Sequence, residues 1–274
     1  MSDKKVVAVL GATGKQGGGL VNAILEDPDG PFTVRAITRD AGSAKAVELA
    51  ARGAEVVEAD LDDVDSLRRA FTGAHGAFVV TNYWESMSPK VEFAQASNAA
   101  RAAKDAGVEH VIWSTLEDTR ADLPLEDPRV PVLEESYSVP HFDAKAEADQ
   151  VFLDLGVPTT FLRTTLFWEA FLTGSGPMRG EDGRLVLGLP MADSPLAGIA
   201  ASDIGRVALA IFTRGKEFIG ATVSIAGEHL TGVQVAEASD VFTGDRDLVL
   251  VRSLHPELQT FRVWLASNKD ALTA

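Results

Sequence analysis

Residues 6–21 read VVAVLGATGKQGGGLV, an apolar run long enough for a buried strand, followed at once by Gly11, Gly14 and Gly17 and then by a stretch of helical period. In a turn between a strand and a helix, each of these glycines has a task. The first permits the tight turn, the second lets the backbone approach an anion, and the third lets the helix pack close on the strand. The N–H groups at the start of such a helix face that anion, and Thr13, Lys15 and Gln16 bring side chains to the same loop. The spacing G-x-x-G-x-x-G also suits a purely structural turn. Its place at the first strand-to-helix junction makes the pyrophosphate of a dinucleotide the better reading.

Outward from this stretch, short apolar runs recur at TVRAI (33–37), EVVEA (55–59), GAFVV (76–80), HVIWS (110–114) and TTFLR (159–163). Longer helical stretches separate them, such as Ala94 to Ala106, which ends at Gly107. Strand alternating with helix predicts an α/β fold, with a parallel sheet wound on both faces over residues 1–165. Two stretches depart from the rhythm. Residues 115–140 carry Pro124, Pro128, Pro131 and Pro140 among seven acidic side chains, and a connection of that length is as a rule functional or mobile. Beyond about residue 170 the alternation loosens into GRLVLGLP (183–190), a helix near Ser202 to Thr213, a strand in ATVSIAG (221–227) and two terminal helical stretches. Residues 166–274 are therefore expected to form a smaller α/β cap.

Composition narrows the function. The chain has 274 residues, 46% of them hydrophobic, enough for one large domain with an appendage. Zero cysteines exclude disulfides, thiolate metal sites and cysteine nucleophiles. No pair of the five histidines sits at ligand spacing with a third ligand nearby, so no metal is expected. A formal net charge of −15 disfavours direct binding to nucleic acid, whereas a dinucleotide needs only helix termini and one or two cations. No apolar run reaches membrane-spanning length, and MSDKKVV passes straight into a strand without a signal peptide. A soluble, cytoplasmic protein is expected.

The second strand bears on the choice of dinucleotide. An NAD-selective site has an acidic group at its end, and here TVRAITRD places Thr38 and Arg39 there. A guanidinium can pair bidentately with a 2′-phosphate, so NADP(H) is favoured over NAD(H). The alternative is a solvated arginine, and the adjacent Asp40 counts for it. Asp60 and Leu61 end the third strand in position for an adenine, while Asp62 and Asp63 suit the cap of the next helix.

GATGKQGG (11–18), ITRD (37–40), VTNYWES (80–86), VPHFDAKAE (139–147) and LGVPTTFLRTTLFWE (155–169) stand in an order and spacing similar to those of the NmrA-like proteins, in particular their HSCARG-like branch. The resemblance extends over nearly the whole chain. It implies an atypical member of the short-chain dehydrogenase/reductase superfamily, with a Rossmann domain and a smaller C-terminal domain enclosing a cleft. It also implies Gly11 to Gly17 around the pyrophosphate, Arg39 at the 2′-phosphate, and Asp60 with Leu61 at the adenine. Thr81 and Asn82 would lie along the ribose and nicotinamide half, Lys145 at the nicotinamide ribose, and Phe167 with Glu169 near the nicotinamide. Tyr83 and Trp84 either wall the cleft or pack under the long connection. Two departures from the family pattern stand out. Ala170 takes the place of a frequent asparagine, removing an amide contact. EASDVFTG (237–244) runs directly into DRDLVL without the roughly few tens of residues that HSCARG-like relatives have there.

Reducing a carbonyl with NADPH needs an acid near the substrate oxygen, commonly a tyrosine with a lysine four residues on. In HFDAK (141–145) the acid position is His141. A free imidazole with pKa near 6.5 is only about a quarter protonated at pH 7, and the cation of Lys145 would lower that fraction. Tyr137 is a nearby alternative acid, and Ser114 and Thr115 either orient an oxygen or are plain strand-end hydroxyls. Two functions follow. One is an NADP(H)-binding redox sensor or regulator with little or no dehydrogenase activity, whose affinity for a protein partner follows cofactor occupancy. The other is an NADPH-dependent reductase of a quinone-like or conjugated carbonyl substrate. The first is favoured, with the acidic, proline-broken segment ordering when cofactor binds.

Overall fold

The computed structural model describes residues 4–172, 178–179, 181, 185–186, 195–231 and 247–268. The first six strands fall on the apolar runs named above: β1 (Lys5–Val9), β2 (Phe32–Thr38), β3 (Glu55–Glu58), β4 (Gly76–Val79), β5 (His110–Thr115) and β6 (Thr159–Arg163). Between them lie helices α1 (Lys15–Leu25), α2 (Ala44–Ala51), α3 (Val64–Phe71), α4 (Tyr83–Ser86), α5 (Pro89–Asp105) and α6 (Pro140–Asp154). Helix α5 begins well before Ala94 because Ser88 caps it, accepting from the Val91 N–H, and Pro89 supplies a first-turn residue that needs no partner. Asp63 caps α3, accepting from the N–H groups of Asp65 and Ser66.

The later elements are β7 (Leu166–Phe167), β8 (Met178–Arg179), β9 (Leu185–Val186), β10 (Pro195–Ile199), α7 (Ala201–Arg214), β11 (Thr222–Ser224), β12 (Glu228–Thr231), α8 (Leu248–Leu254) and α9 (Phe261–Ser267). Seven strands form one sheet in the order β11-β6-β5-β4-β1-β2-β3, and every pairing in it is parallel. Strands β12, β10 and β7 make a smaller sheet, and β8 pairs with β9. Most of GRLVLGLP and all of EASDVFTG lie outside the described residues.

Alternate residues of each strand feed opposite cores, as a period of two requires. Val7 and Val9 of β1 join Leu20, Ile24, Ile204 and Ile211 on the face covered by α1 and α7. Ala8 and Leu10 join Leu67, Phe71, Trp113 and Phe152 on the face covered by α3, α5 and α6. Strands of a doubly covered sheet thus read as continuous apolar runs.

Helices α1 and α7 touch through glycine. A Cβ on Gly205 would lie 2.1 Å from the backbone carbon of Gly19, so the helix axes approach as closely as backbone allows. The long connection between β5 and α6 is also fixed in place. Asp143, fully buried in the first turn of α6, accepts from the Thr119 N–H at 2.8 Å, the Thr119 hydroxyl at 2.6 Å, and the N–H groups of Ser138 and Val139 at 2.8 and 2.9 Å. One carboxylate therefore ties both ends of the proline-rich stretch to the first turn of α6. No helix among the described residues is long and apolar enough to cross a membrane.

Candidate functional site

In the large sheet the strand order reverses between β1 and β4, and open α/β sheets bind ligands at the carboxyl ends of the strands at such a point. A cleft of about 1170 Å³ opens there. Gly11, the first residue of the turn after β1, has φ +64°, a left-handed conformation that a side chain would strain. A Cβ on Gly17 would stand 2.5 Å from the carbonyl oxygen of Gly11, so the third glycine is what lets α1 sit against this turn. Gly14 is the N-cap of α1 and offers no capping side chain. The loop therefore presents bare backbone at a helix N-terminus, and the residues present fit a pyrophosphate. Gln16 reaches across to β5, where its side-chain oxygen accepts from the Ser114 hydroxyl at 2.8 Å.

The same cleft collects Thr13, Lys15, Arg39, Asp60, Leu61, Thr81, Asn82, Lys145 and Phe167. Arg39 does not extend freely into solvent. Its two terminal nitrogens donate to the two carboxylate oxygens of Glu85 at 3.1 and 2.6 Å. Tyr83 and Trp84 both line the cleft. Tyr83 is buried and meets Trp84 edge-on at 5.5 Å, while Trp84 remains largely exposed and its ring lies 4.8 Å from that of His141.

Lys145 is the best-connected side chain of the site. Its Nζ lies 2.7 Å from Glu92 Oε1, donates to Thr81 Oγ1 at 2.7 Å and to the Thr81 carbonyl at 3.3 Å, and stands 4.9 Å over the Trp113 ring. Thr81 in turn donates its hydroxyl to Glu92 Oε1 at 2.6 Å. Glu92 is 1% exposed, and its Oε2 has no hydrogen-bond partner among the described residues. Burial pushes the Lys145 ammonium below its ordinary pKa, against the pull of Glu92. Three bonds to protein atoms match the three donors of an ammonium. Next to this cluster, burial first and then the Lys145 charge push His141 down to about 4. At neutral pH its imidazole is uncharged. Asp149, bonded to the indole N–H of Trp113 at 2.8 Å on the far side, is pushed up to about 6 by burial.

Three candidate residues lie outside the cleft lining. Glu169 is not in the cleft lining but beside a smaller pocket that also touches Gly14 and Lys15: its carboxylate accepts from the Ala201 N–H at 3.0 Å and from the Trp264 indole at 3.3 Å. Helix α7 has no side-chain cap of its own, and a carboxylate at a helix N-terminus is well placed, so Glu169 serves α7 instead. Tyr137 lies outside the cleft lining, buried, with its hydroxyl donating to Glu147 Oε2 at 3.1 Å; burial, the Glu147 charge and that bond push its pKa up. Thr115 is fully buried and likewise outside the lining. Two residues at the site, Glu85 and Glu92, were not singled out from sequence. Glu85 sits inside TNYWE, and the strand-end position of that motif was the available signal. Glu92 had none.

The sequence pattern of the NmrA-like family matches residues 3–247. This chain belongs to that family. Among NmrA-like relatives, the oxidoreductase himF of Aspergillus japonicus is 35% identical over 173 residues, 61% of this chain and 48% of himF, so the chain spans about half the length of that relative. The NmrA-like oxidoreductase ptmS of Penicillium ochrochloron is 28% identical over 290 residues, 97% of this chain and 80% of ptmS. The solved structure of NmrA, a negative transcriptional regulator, in complex with NADP superposes with a TM-score of 0.74 at 22% identity, covering 94% of this chain and 93% of NmrA. NmrA has also been solved in complex with NAD. At that identity the likeness establishes the fold, the Rossmann-like arrangement of the large sheet.

Proposed function

We propose that this NmrA-like protein, of the HSCARG-like branch on the strength of TNYWE and HFDAK, binds NADP(H) and acts as a cytoplasmic redox sensor or regulator with little or no dehydrogenase activity. The observation that carries the reading is the state of the proton-donor position. His141 is held neutral, with its pKa near 4, and the Lys145 ammonium beside it is taken up by Glu92 and Thr81. A neutral imidazole is a poor acid, and the Lys145 charge beside it lowers the protonated share further. The glycine loop and Arg39 support the cofactor part of the reading, since they supply backbone donors for a pyrophosphate and a guanidinium for a 2′-phosphate. When bound, NADPH supplies hydride chemistry. The chain's own contribution is to hold and distinguish the dinucleotide.

Titration calorimetry with NADP⁺, NADPH, NAD⁺ and NADH, followed by an NADPH-oxidation screen on the same sample, tests this. NADP(H) should bind more tightly than NAD(H), one redox state should be preferred, and Arg39→Ala should weaken NADP(H) about tenfold or more, the loss of a charge-assisted pair. Equal affinity for all four would reject the argument from β2. Steady turnover at ordinary enzyme rates with a carbonyl or quinone would reject the sensor. The second reading, an NADPH-dependent reductase of a quinone-like or conjugated carbonyl substrate, draws support from the aromatic wall of Tyr83, Trp84, Phe142 and Phe167 beside His141, and from relatives named as oxidoreductases. Turnover that fails in His141→Ala would favour it.

A further inference from the structure

We propose that Glu85 is a specificity-determining residue, a built-in carboxylate that occupies Arg39 until a 2′-phosphate displaces it. The inference rests on the reading of Arg39 as the 2′-phosphate contact and adds its competitor. Arg39 follows β2, Glu85 belongs to α4 after β4, and β1 lies between those strands in the sheet. The ion pair therefore crosses over the strand that leads into the glycine loop, and both partners line the cleft. It is a two-point pair: Arg39 Nη1 on Glu85 Oε2 at 3.1 Å, and Nη2 on Oε1 at 2.6 Å.

That geometry has a consequence for recognition. A planar guanidinium that presents both terminal nitrogens to one carboxylate cannot present the same pair to a phosphate. A 2′-phosphate must exchange with Glu85, and the displaced carboxylate then stands beside a second anion. Asp60 and Asp62 also act electrostatically on Arg39, so the phosphate enters among further carboxylates. What the phosphate gains is the difference between two anions on one cation. A dinucleotide with a free 2′-hydroxyl leaves the Arg39–Glu85 pair in place and loses nothing to it. Glu85 thus tempers the preference for NADP(H) over NAD(H) without touching the rest of the site. Both side chains are substantially exposed, 64% for Arg39 and 49% for Glu85, which keeps the competition modest.

The test is a calorimetric cycle with NADP⁺ and NAD⁺ at low ionic strength on the parent protein, Glu85→Gln, Arg39→Ala and the double variant, all with matched circular-dichroism melts. Glu85→Gln keeps size and an acceptor while removing the charge. It should tighten NADP⁺ by roughly two- to fivefold and leave NAD⁺ unchanged. On the Arg39→Ala background the same change should have no effect, because the competitor has lost its cation. If Arg39→Ala weakens NADP⁺ but Glu85→Gln does not tighten it, Glu85 is no competitor while the reading of Arg39 stands. Equal tightening of NADP⁺ and NAD⁺, or tightening that persists without Arg39, also overturns the proposal. If Arg39→Ala leaves NADP⁺ affinity unchanged, the reading of Arg39 falls and this inference falls with it.

Discussion

Replacing Lys145 by methionine removes the charge and keeps most of the side chain's length. In the parent protein Glu92, 1% exposed, has the Lys145 ammonium at 2.7 Å and the Thr81 hydroxyl at 2.6 Å as its polar contacts. The variant leaves a buried carboxylate with a single hydroxyl. Removing one member of a buried ion pair costs about 3–5 kcal/mol, most of it the uncompensated charge left behind. Near the melting point, with about 2–4 °C per kcal/mol for domains of this class, the melting temperature should fall by roughly 6–20 °C. Removing both charges should not. In Lys145→Met/Glu92→Leu the pair is replaced by apolar groups, and most of the lost stability should return. Thermal and urea unfolding of parent, single and double variants would measure both effects. A single variant within about 1 kcal/mol of the parent, or a double variant no better than the single, would refute the assignment of Glu92 as the partner that holds Lys145.

A nitrogen-detected NMR titration should find His141 with a pKa near 4 rather than near 6.5, and Lys145→Met should raise it, since the Lys145 charge is the second cause after burial. Because the folded state binds fewer protons at this site than the unfolded chain, its contribution to stability is present above about pH 6.5 and is lost as pH falls toward 4; a His141 titrating near 6.5 would contradict the burial argument. Gly205→Ala sets a methyl 2.1 Å from the backbone of Gly19, and since neither side is a movable side chain, the helices must separate; a loss of about 3 kcal/mol or more is expected in a thermal melt, and an unchanged melt would mean that α1 and α7 do not pack as described.

The strands were legible because a sheet covered on both faces needs continuous apolar runs, and VVAVL, GAFVV and HVIWS each fell on a strand. The cleft was legible for a related reason. Its residues follow strand ends, so an ordered list of strands is also a list of cleft positions, and Gly11, Arg39, Asp60, Thr81 and Phe167 all arrive there. Side-chain direction was not legible. Glu169 follows β7 closely, yet its carboxylate turns to the uncapped start of α7, a helix 32 residues further along. Asp143 was passed over inside HFDAK because a lone acidic residue in a first helical turn looks like an ordinary dipole contact. Only the fold brings Thr119, Ser138 and Val139 to it. Glu92 reads as a solvated position of α5, and its burial depends on Lys145 arriving from a helix 53 positions later.

The close seat of α7 on α1 also has a consequence for synthesis. The apolar flank of α1, with Leu20, Val21 and Ile24, leaves the ribosome well before its cover, which begins at Ala201. At about 5–20 residues per second, roughly 180 residues and roughly 10–40 s separate the two. Throughout that interval the helix that opens at the glycine loop has no lid over its greasy side, and strand β6 still waits for β11 at its edge. A nascent chain in that state exposes apolar surface that favours aggregation. Substitutions along α7 should therefore first show as lower yield of folded protein, before any change in how the cleft treats its ligand.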